Sequence, residues 1–320
     1  MQRIKIKRSD TDRWIGIAAA STVIDSGTLE AGLPRFAEWG YAVRVDDTIT
    51  EKFRYFAGTD QTRADALIRL IRDPSVGTIW CARGGYGATR LLKLLDAAKA
   101  PALLRKNPKL LFGFSDVTAL HFYFHQHGLA SVHAPMPGTA AWGVLKPSTE
   151  KILRATLAGK LETGAASHTA AWKPKILHTT GKEAEGIILG GNLSLVATLA
   201  GTPWQPNLNG ALLFLEDCGE APYRVDRMLT QLDNAGMLKK IRGVLLGDFE
   251  DGVVYRDDAE RKHWRAIFLE RFAHLGIPVL SNLPVGHGKR NEPLPLGVKA
   301  RITKAGRLEL LEQPVRAAKS

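Results

Sequence analysis

The stretch Lys109–Phe122, "KLLFGFSDVTALHF", sets an apolar run directly against a helical pattern, with one small nucleophile between them. "LLFGF" has the length and aromatic content of a buried strand. "DVTALHFYFHQHG" carries spaced apolar residues up to a glycine stop and reads as a helix. Ser115 stands at the junction, either as the cap of that helix or as a reagent held on a tight turn. The same strand-then-helix alternation runs outward from it. "WIGIAAAS", "YAVRVDD" and "VGTIWCA" read as strands, and "LEAGLPRFAEWG", "QTRADALIRLIRD" and "ATRLLKLLDAAK" as helices. Repeated βαβ units imply a parallel sheet with helices on both faces, and ligands bind such sheets beyond the carboxyl ends of the strands.

From about Pro135 to Glu183 apolar periodicity weakens, and this part reads as a connection or covering segment. A second organised region follows. "EGIILGG", "ALLFLEDC", "RGVLLGDF" and "IPVLSN" are strand-like, and "LGVKARITKAGRLELLE" reads as a closing hairpin. Helices are expected at "NLSLVATLAG", "YRVDRMLTQLDNAG" and "HWRAIFLERFAHLG". The expectation is therefore an α/β chain with an N-terminal, Rossmann-like parallel-sheet domain over 1–140, a connecting segment over 141–182, and a C-terminal mixed-sheet α/β domain over 183–315.

The chain of 320 residues suits two domains of about 150 residues each. Its 45% hydrophobic and 24% charged content excludes a disordered or fibrous protein. Two cysteines, Cys81 and Cys218, each end an apolar run, which suits reduced thiols in a cytoplasmic protein. The basic start, "MQRIKIKRSDTDRW", shows no apolar core of a leader, and no apolar run approaches the length of a membrane span. The net charge of +12 raises acidic partners, but the cations are spread along the chain and aromatic-rich nucleic-acid signatures are absent. The charge does not choose among nucleic acid, membrane surfaces and acidic small molecules, though a generally basic surface is favoured over a nucleic-acid footprint.

Four segments could carry chemistry. Around Ser115 the strand, sharp turn and helix follow the logic of a nucleophile elbow, with Gly113 giving room, although Val117 stands where G-x-S-x-G has its last glycine. "CARGGYGATRLL" places two adjacent glycines and a third just past a strand, so backbone N–H groups can turn toward an anion or a developing oxyanion. It lacks both the Walker ending and the dinucleotide glycine spacing. In "LLFLEDCGEAPYRVDRML" a carboxylate closes a buried strand, so Glu216 or Asp217 faces a cleft, a cation or a histidine. In "NLPVGHGKRNEPLPLG", His287 lies between glycines in a loop after a strand. His121, His125 and His127 share a helical face without H-E-x-x-H or a cysteine pair, so no metal is expected. Cys81 reads as a buried small residue rather than a nucleophile. The chain order serine, acid, histidine is also that of α/β serine hydrolases.

Six blocks together, "FAGTDQTRADAL", "RGGYGATRLL", "GFSDVTALH", "GGNLSLVATLAGTPW", "LFLEDCGEAPYRVDRMLTQL" and "VGHGKRNEPLPLG", resemble the LD-carboxypeptidases, serine peptidases that include microcin C self-immunity proteins. The resemblance spans about Ile15 to Leu310. It implies a Ser115–Glu216–His287 triad in a crevice between two domains, and an oxyanion hole from the amides of Gly85 and Asp116. It implies a cytoplasmic homodimer without metal or organic cofactor that trims the terminal D-alanine from the murein tetrapeptide, so the partner expected is a small anionic muropeptide, with neither nucleic acid nor membrane. In this family "GFSD" takes the place of G-x-S-x-G. Arg83 is the candidate for the substrate's terminal carboxylate, and Asn192 for orienting the peptide. Two other readings compete. One is a self-immunity hydrolase of peptidyl or aminoacyl nucleotides, with Trp142, Trp172 or Trp204 stacking a base. The other is a nucleotide or sugar-phosphate binding module in which "RGGYG" holds phosphate and Ser115 only caps a helix.

Overall fold

A computed structural model describes residue 4 and residues 6–8, 14–249, 252–253 and 258–317. Most of the basic N-terminal stretch and the last three residues of the tail lie outside the described residues. The chain divides into two compact units, Met1–Leu161 with Gln313–Ser320, and Glu162–Glu312.

In the first unit the strands are β1 (Ile6–Arg8), β2 (Trp14–Ala18), β3 (Ala42–Val45), β4 (Val76–Cys81), β5 (Leu110–Gly113) and β6 (Ser131–His133). Five of them lie side by side in the order β6-β5-β4-β2-β3, all parallel, as the βαβ pattern requires. β4 is buried at all six positions, which is why it reads as a continuous apolar run and not as an alternation. Helix Asp60–Arg72 starts where Thr59 accepts the N–H of Thr62, and it buries Ala64, Leu67, Ile68 and Ile71 along one face. It packs so closely on the sheet that a Cβ on Gly16 would lie 2.8 Å from a Leu70 methyl. Burying each leucine or isoleucine there contributes about 1.5–3 kcal/mol. Phe36, Trp39, Trp80 and Trp142 form an aromatic core, with Trp80 stacked on Phe112 at 4.1 Å.

"LEAGLPRFAEWG" forms two helices, Ser26–Gly32 and Pro34–Glu38, because Pro34 has no N–H to continue the first and opens the second. Residues 141–182 include helix Pro147–Leu157, two single 3₁₀ turns and a strand.

In the second unit the strands are β7 (Lys175–His178), β8 (Ala184–Asn192), β9 (Ala211–Glu216), β10 (Gly243–Leu246), β11 (Val279–Ser281), β12 (Leu294–Leu296), β13 (Lys299–Ile302) and β14 (Leu308–Leu310). Seven of them form a sheet in the order β14-β13-β8-β9-β10-β11-β7. β8 to β11 are parallel, β13 and the edge strand β7 run against them, and β14 returns antiparallel to β13, so the sheet is mixed. At Gly190, φ is 141° and a Cβ would run into the Phe214 carbonyl, so only glycine lets β8 approach β9 there. The last strand among the described residues, β15 (Val315–Ala317), pairs in parallel with β1 in the first unit.

Candidate active site

β5 is fully buried and ends at Gly113, where φ is 152° and a Cβ would lie 2.9 Å from a Val117 methyl. Phe114 is extended, and Ser115 then takes φ 63°, in the left-handed region that non-glycine residues rarely occupy. Such a residue stores about 1–3 kcal/mol of backbone strain, a state that clusters at functional sites. A 3₁₀ turn over Ser115–Val117 leads into helix Thr118–Gln126. That helix has Val117 at its cap position and no side-chain cap, so the capping role considered for Ser115 is not the one it plays. The half-buried Ser115 side chain makes no hydrogen bond among the described residues. His121 holds the turn from below through Nε2 to the Gly113 carbonyl at 2.9 Å, and burial pushes its imidazole down to about 4.

The glycine turn lies against the serine. A Cβ on Gly84 would sit 3.0 Å from Ser115 Cβ and 3.2 Å from Oγ. Gly85 has φ 111°, and a Cβ there would run into Thr22 Oγ1 and come within 2.7 Å of Thr22 Cβ. Thr22 Oγ1 in turn accepts the N–H of Tyr86 at 3.1 Å. The Asp116 carboxylate, fully buried, accepts from Ser21 Oγ at 2.6 Å and from the Ala88 N–H at 2.8 Å. It thereby pins the helix after the glycine turn to the residue after Ser115. Burial pushes this carboxyl up, against the hydrogen bonds from Ser21, Ala88 and Gly87. Arg83 is exposed on the same turn and donates to the Val23 carbonyl at 3.3 Å. Cys81 is fully buried, and burial followed by the Asp116 charge pushes its thiol up to about 12.

In the second unit Glu216 is the last residue of β9 and is fully buried. His287 Nδ1 lies 2.6 Å from Glu216 Oε2. Glycines allow this approach: a Cβ on Gly286, where φ is 127°, would lie 2.9 Å from Oε2, and one on Gly247 would lie 3.1 Å from Glu216 Cβ. Burial pushes Glu216 up, against hydrogen bonding from His287 and Asn192. Burial also disfavours imidazolium, but hydrogen bonds with Cys218 and Glu216 outweigh it and raise His287 to about 11.

Glu216, at the strand end, and Asp217, just past it, are told apart by their partners. Glu216 meets His287. Asp217 accepts from Asn192 Nδ2 at 2.8 Å, Ser194 N at 2.9 Å, Ser194 Oγ at 2.7 Å and Cys218 N at 2.9 Å. Asn192 is 4% exposed, pairs in register with Glu216, and accepts the Leu195 N–H at 3.3 Å as cap of helix Leu193–Thr198. Its side chain is thus engaged with carboxylates and a helix end.

Sequence reasoning does not find the Asp116 carboxylate, Ser21, or the contact of Cys218 with His287. A buried acid beside a nucleophile is the signal for the first, and nothing local marks the other two. Trp142 is 1% exposed in the aromatic core, where its N–H donates to the Gly32 carbonyl at 2.9 Å, so it cannot stack a base. Trp172 and Trp204 are half-buried, the former 5.5 Å from the His168 ring. Among the described residues no group of three or more His, Cys, Asp or Glu is placed to hold a metal ion. A carboxylate that binds Nδ1–H leaves the ring's Nε2 as its proton acceptor, and a strained turn lifts a hydroxyl beside a glycine turn, as acyl transfer requires.

Comparison with known proteins points the same way. Residues 15–134 match the model of the LD-carboxypeptidase N-terminal domain and residues 185–302 that of its C-terminal domain. A putative carboxypeptidase of Synechocystis is 33% identical over 94% of each chain. The murein tetrapeptide carboxypeptidase of Pseudomonas aeruginosa is 30% identical over 93% of this chain and 95% of its own. The crystal structure of muramoyltetrapeptide carboxypeptidase from Oxalobacter formigenes superposes with a TM-score of 0.78 at 33% identity, covering 92% of this chain and 98% of that one. The self-immunity protein MccF, solved with glutamyl sulfamoyl guanosine, superposes at 0.83 over 97% of this chain and 99% of its own, at 22% identity, which shows a shared fold. By both domain models and by relatives matched over nearly their whole length, this chain belongs to the LD-carboxypeptidase family.

Proposed function

We propose that the protein is a serine carboxypeptidase that removes the terminal D-alanine of murein tetrapeptides by cleaving an L,D-peptide bond. The observation that carries this reading is the 2.6 Å hydrogen bond between buried Glu216 and His287, taken together with the strained turn at Ser115. In the proposed reaction His287 Nε2 takes the Ser115 proton as Oγ attacks the scissile carbonyl. Glu216 holds the imidazole tautomer and offsets its positive charge. The Gly85 and Asp116 amides receive the oxyanion. His287 then protonates the leaving amine of D-alanine, and water resolves the acyl-enzyme with the same base.

Arg83, exposed beside Gly84, is proposed to bind the free carboxylate that a carboxypeptidase must recognise. Asn192 is proposed to act on the peptide through its place beside the Glu216 strand end. The domain boundaries at 140 and 183, the cytoplasmic location and the homodimer belong to this proposal. Two free cysteines, one fully buried, support a reducing compartment. The positive net charge of +12 suits a muropeptide carrying several carboxylates.

The test incubates purified protein with murein tetrapeptide and, separately, with an aminoacyl sulfamoyl adenylate. D-alanine release that disappears in Ser115→Ala is the expected result. Turnover of the adenylate alone, or release of D-alanine that survives in the variant, overturns the reading.

A further inference from the structure

Beyond the carboxyl ends of β10 and β11 the second unit holds a cavity of about 510 Å³, walled by Lys175, Asp248, Phe249, Trp264, Arg265 and Phe268. Small-molecule sites fall in the range of about 300–1,000 Å³ and combine an apolar surface with a few convergent polar groups. The apolar surface is a three-ring cluster: Phe249 lies 5.7 Å from Trp264 and 5.0 Å from Phe268, and Trp264 stacks on Phe268 at 6.1 Å. The polar groups carry both signs. Lys175 and Arg265 are exposed cations whose side chains enter no hydrogen bond or ion pair among the described residues. Asp248 is the one carboxylate among the residues lining the cavity. Two cations without partners among the described residues match a ligand with two carboxylates. The volume exceeds that of a single amino acid.

Both walls are bonded to the loop that carries His287. The Asp248 N–H donates to the Val285 carbonyl at 3.1 Å, and the Asp217 N–H donates to the Asp248 carbonyl at 3.0 Å. Gly288 lies against the Asp248 carboxylate, so closely that a Cβ would sit 2.7 Å from Cγ. On the other wall Asn282 takes φ 59°, and its Oδ1 accepts from Arg290 at 3.3 Å. The Leu283 N–H donates to the Leu246 carbonyl at 3.1 Å. A non-glycine residue in the left-handed region beside a cavity is the kind of strain that marks binding sites.

We propose that this cavity is a second binding site, for an acidic dipeptide or tripeptide. Its carboxylates meet Arg265 and Lys175, and its carbon skeleton lies on the Trp264 cluster. Because Asp248 and Asn282 support residues 283–290, a bound peptide steadies the His287 loop.

The test titrates L-alanyl-L-glutamate, with L-alanyl-L-alanine as neutral comparison, into the full chain by calorimetry, and follows amide exchange of 283–290 with and without peptide. The acidic peptide binds more tightly than the neutral one, and exchange in the loop slows. Arg265→Glu and Lys175→Glu each weaken binding by about tenfold or more, the worth of one charge-assisted hydrogen bond, without lowering the melting temperature. The proposal is overturned by no heat from the acidic peptide at its solubility limit, or by equal affinity in the wild type and both variants. A loop whose exchange is untouched by saturating peptide removes the coupling to His287.

Discussion

Replacing Glu216 by Gln keeps the shape of the buried group and removes the charge that faces His287. In the wild-type pair Nδ1 and Oε2 are 2.6 Å apart, Glu216 is fully buried and the His287 side chain is 17% exposed. With charge centres about 4 Å apart and an effective dielectric of about 20, attraction between carboxylate and imidazolium is about 4 kcal/mol, or about three decades in proton affinity. Burial opposes it, the hydrogen bond with Cys218 adds to it and persists in the variant, and the balance leaves His287 above its ordinary 6.5. A base that must be unprotonated to act then gains activity as pH rises, so kcat/KM for D-alanine release climbs through and beyond neutrality. In Glu216→Gln, burial acts without that carboxylate and His287 falls, so the acid limb of the profile moves to lower pH. The plateau falls as well, by about 10³–10⁴-fold, because the amide neither stabilises the imidazolium nor enforces the tautomer. The assay is D-alanine release from murein tetrapeptide at saturating buffer over the full pH range, on wild type and variant. A plateau unchanged by the substitution, or an acid limb that moves to higher pH, refutes the assigned role of this pair.

Gly85→Ala places a methyl against Thr22 at a residue with φ 111°, so the turn must shift; kcat/KM falls by about 10²–10³-fold if its amide serves the oxyanion. Gly181→Ala, at φ 68° with open space around it, is the matched control for backbone strain alone, and equal activities in the two variants count against the oxyanion role. Asp46 tests the fold away from the site. It accepts from Arg69 Nε at 2.9 Å, Arg69 Nη2 at 2.8 Å and Thr48 Oγ1 at 2.6 Å, which together outweigh burial and hold its carboxyl below the ordinary 3.8. A depressed folded value stabilises above the ordinary one and is lost as pH falls through the folded value. Asp46→Asn therefore destabilises by about 2 kcal/mol in urea unfolding at neutral pH, and the gap to wild type closes in the acid range; a gap independent of pH contradicts the assignment.

Most of the parallel architecture is legible in the sequence because buried strands and amphipathic helices differ in period, and glycine or proline marks their ends. "VGTIWC" and "ALLFLE" are buried at every position, so composition alone identifies them. What is missed has weak local signals. β7 lies at a sheet edge with the burial pattern exposed, exposed, half-buried, half-buried, and so shows no alternation inside the stretch read as a connection. Helix Ala100–Lys106 begins one residue before a proline and directly after Lys99, whose φ of 59° breaks it from the preceding helix. Its seven residues are too few to display a period. β1 and β15 are three-residue strands paired from opposite ends of the chain, a contact no local pattern encodes.

The site divides along the same line. The proposed catalytic residues are marked by their immediate neighbours: Ser115 follows a strand end, Glu216 closes a strand, and His287 has glycines on both sides. The residues that hold them in place are not. Asp116 looks like one more acid at a helix start until Ser21, 95 positions away, is seen to donate to its carboxylate, and Gly84 looks like turn punctuation until Ser115 is found against it. Asp217 is indistinguishable from Glu216 by composition, yet its four donors come from Asn192, Ser194 and Cys218, while Glu216 faces the imidazole. Residue type at a strand end is what a sequence can display. Positioning is carried by contacts across tens of residues, and that is why substitutions at Asp116 or Asp217 test the surroundings of each proposed catalytic residue in a way that substitution of Ser115 cannot.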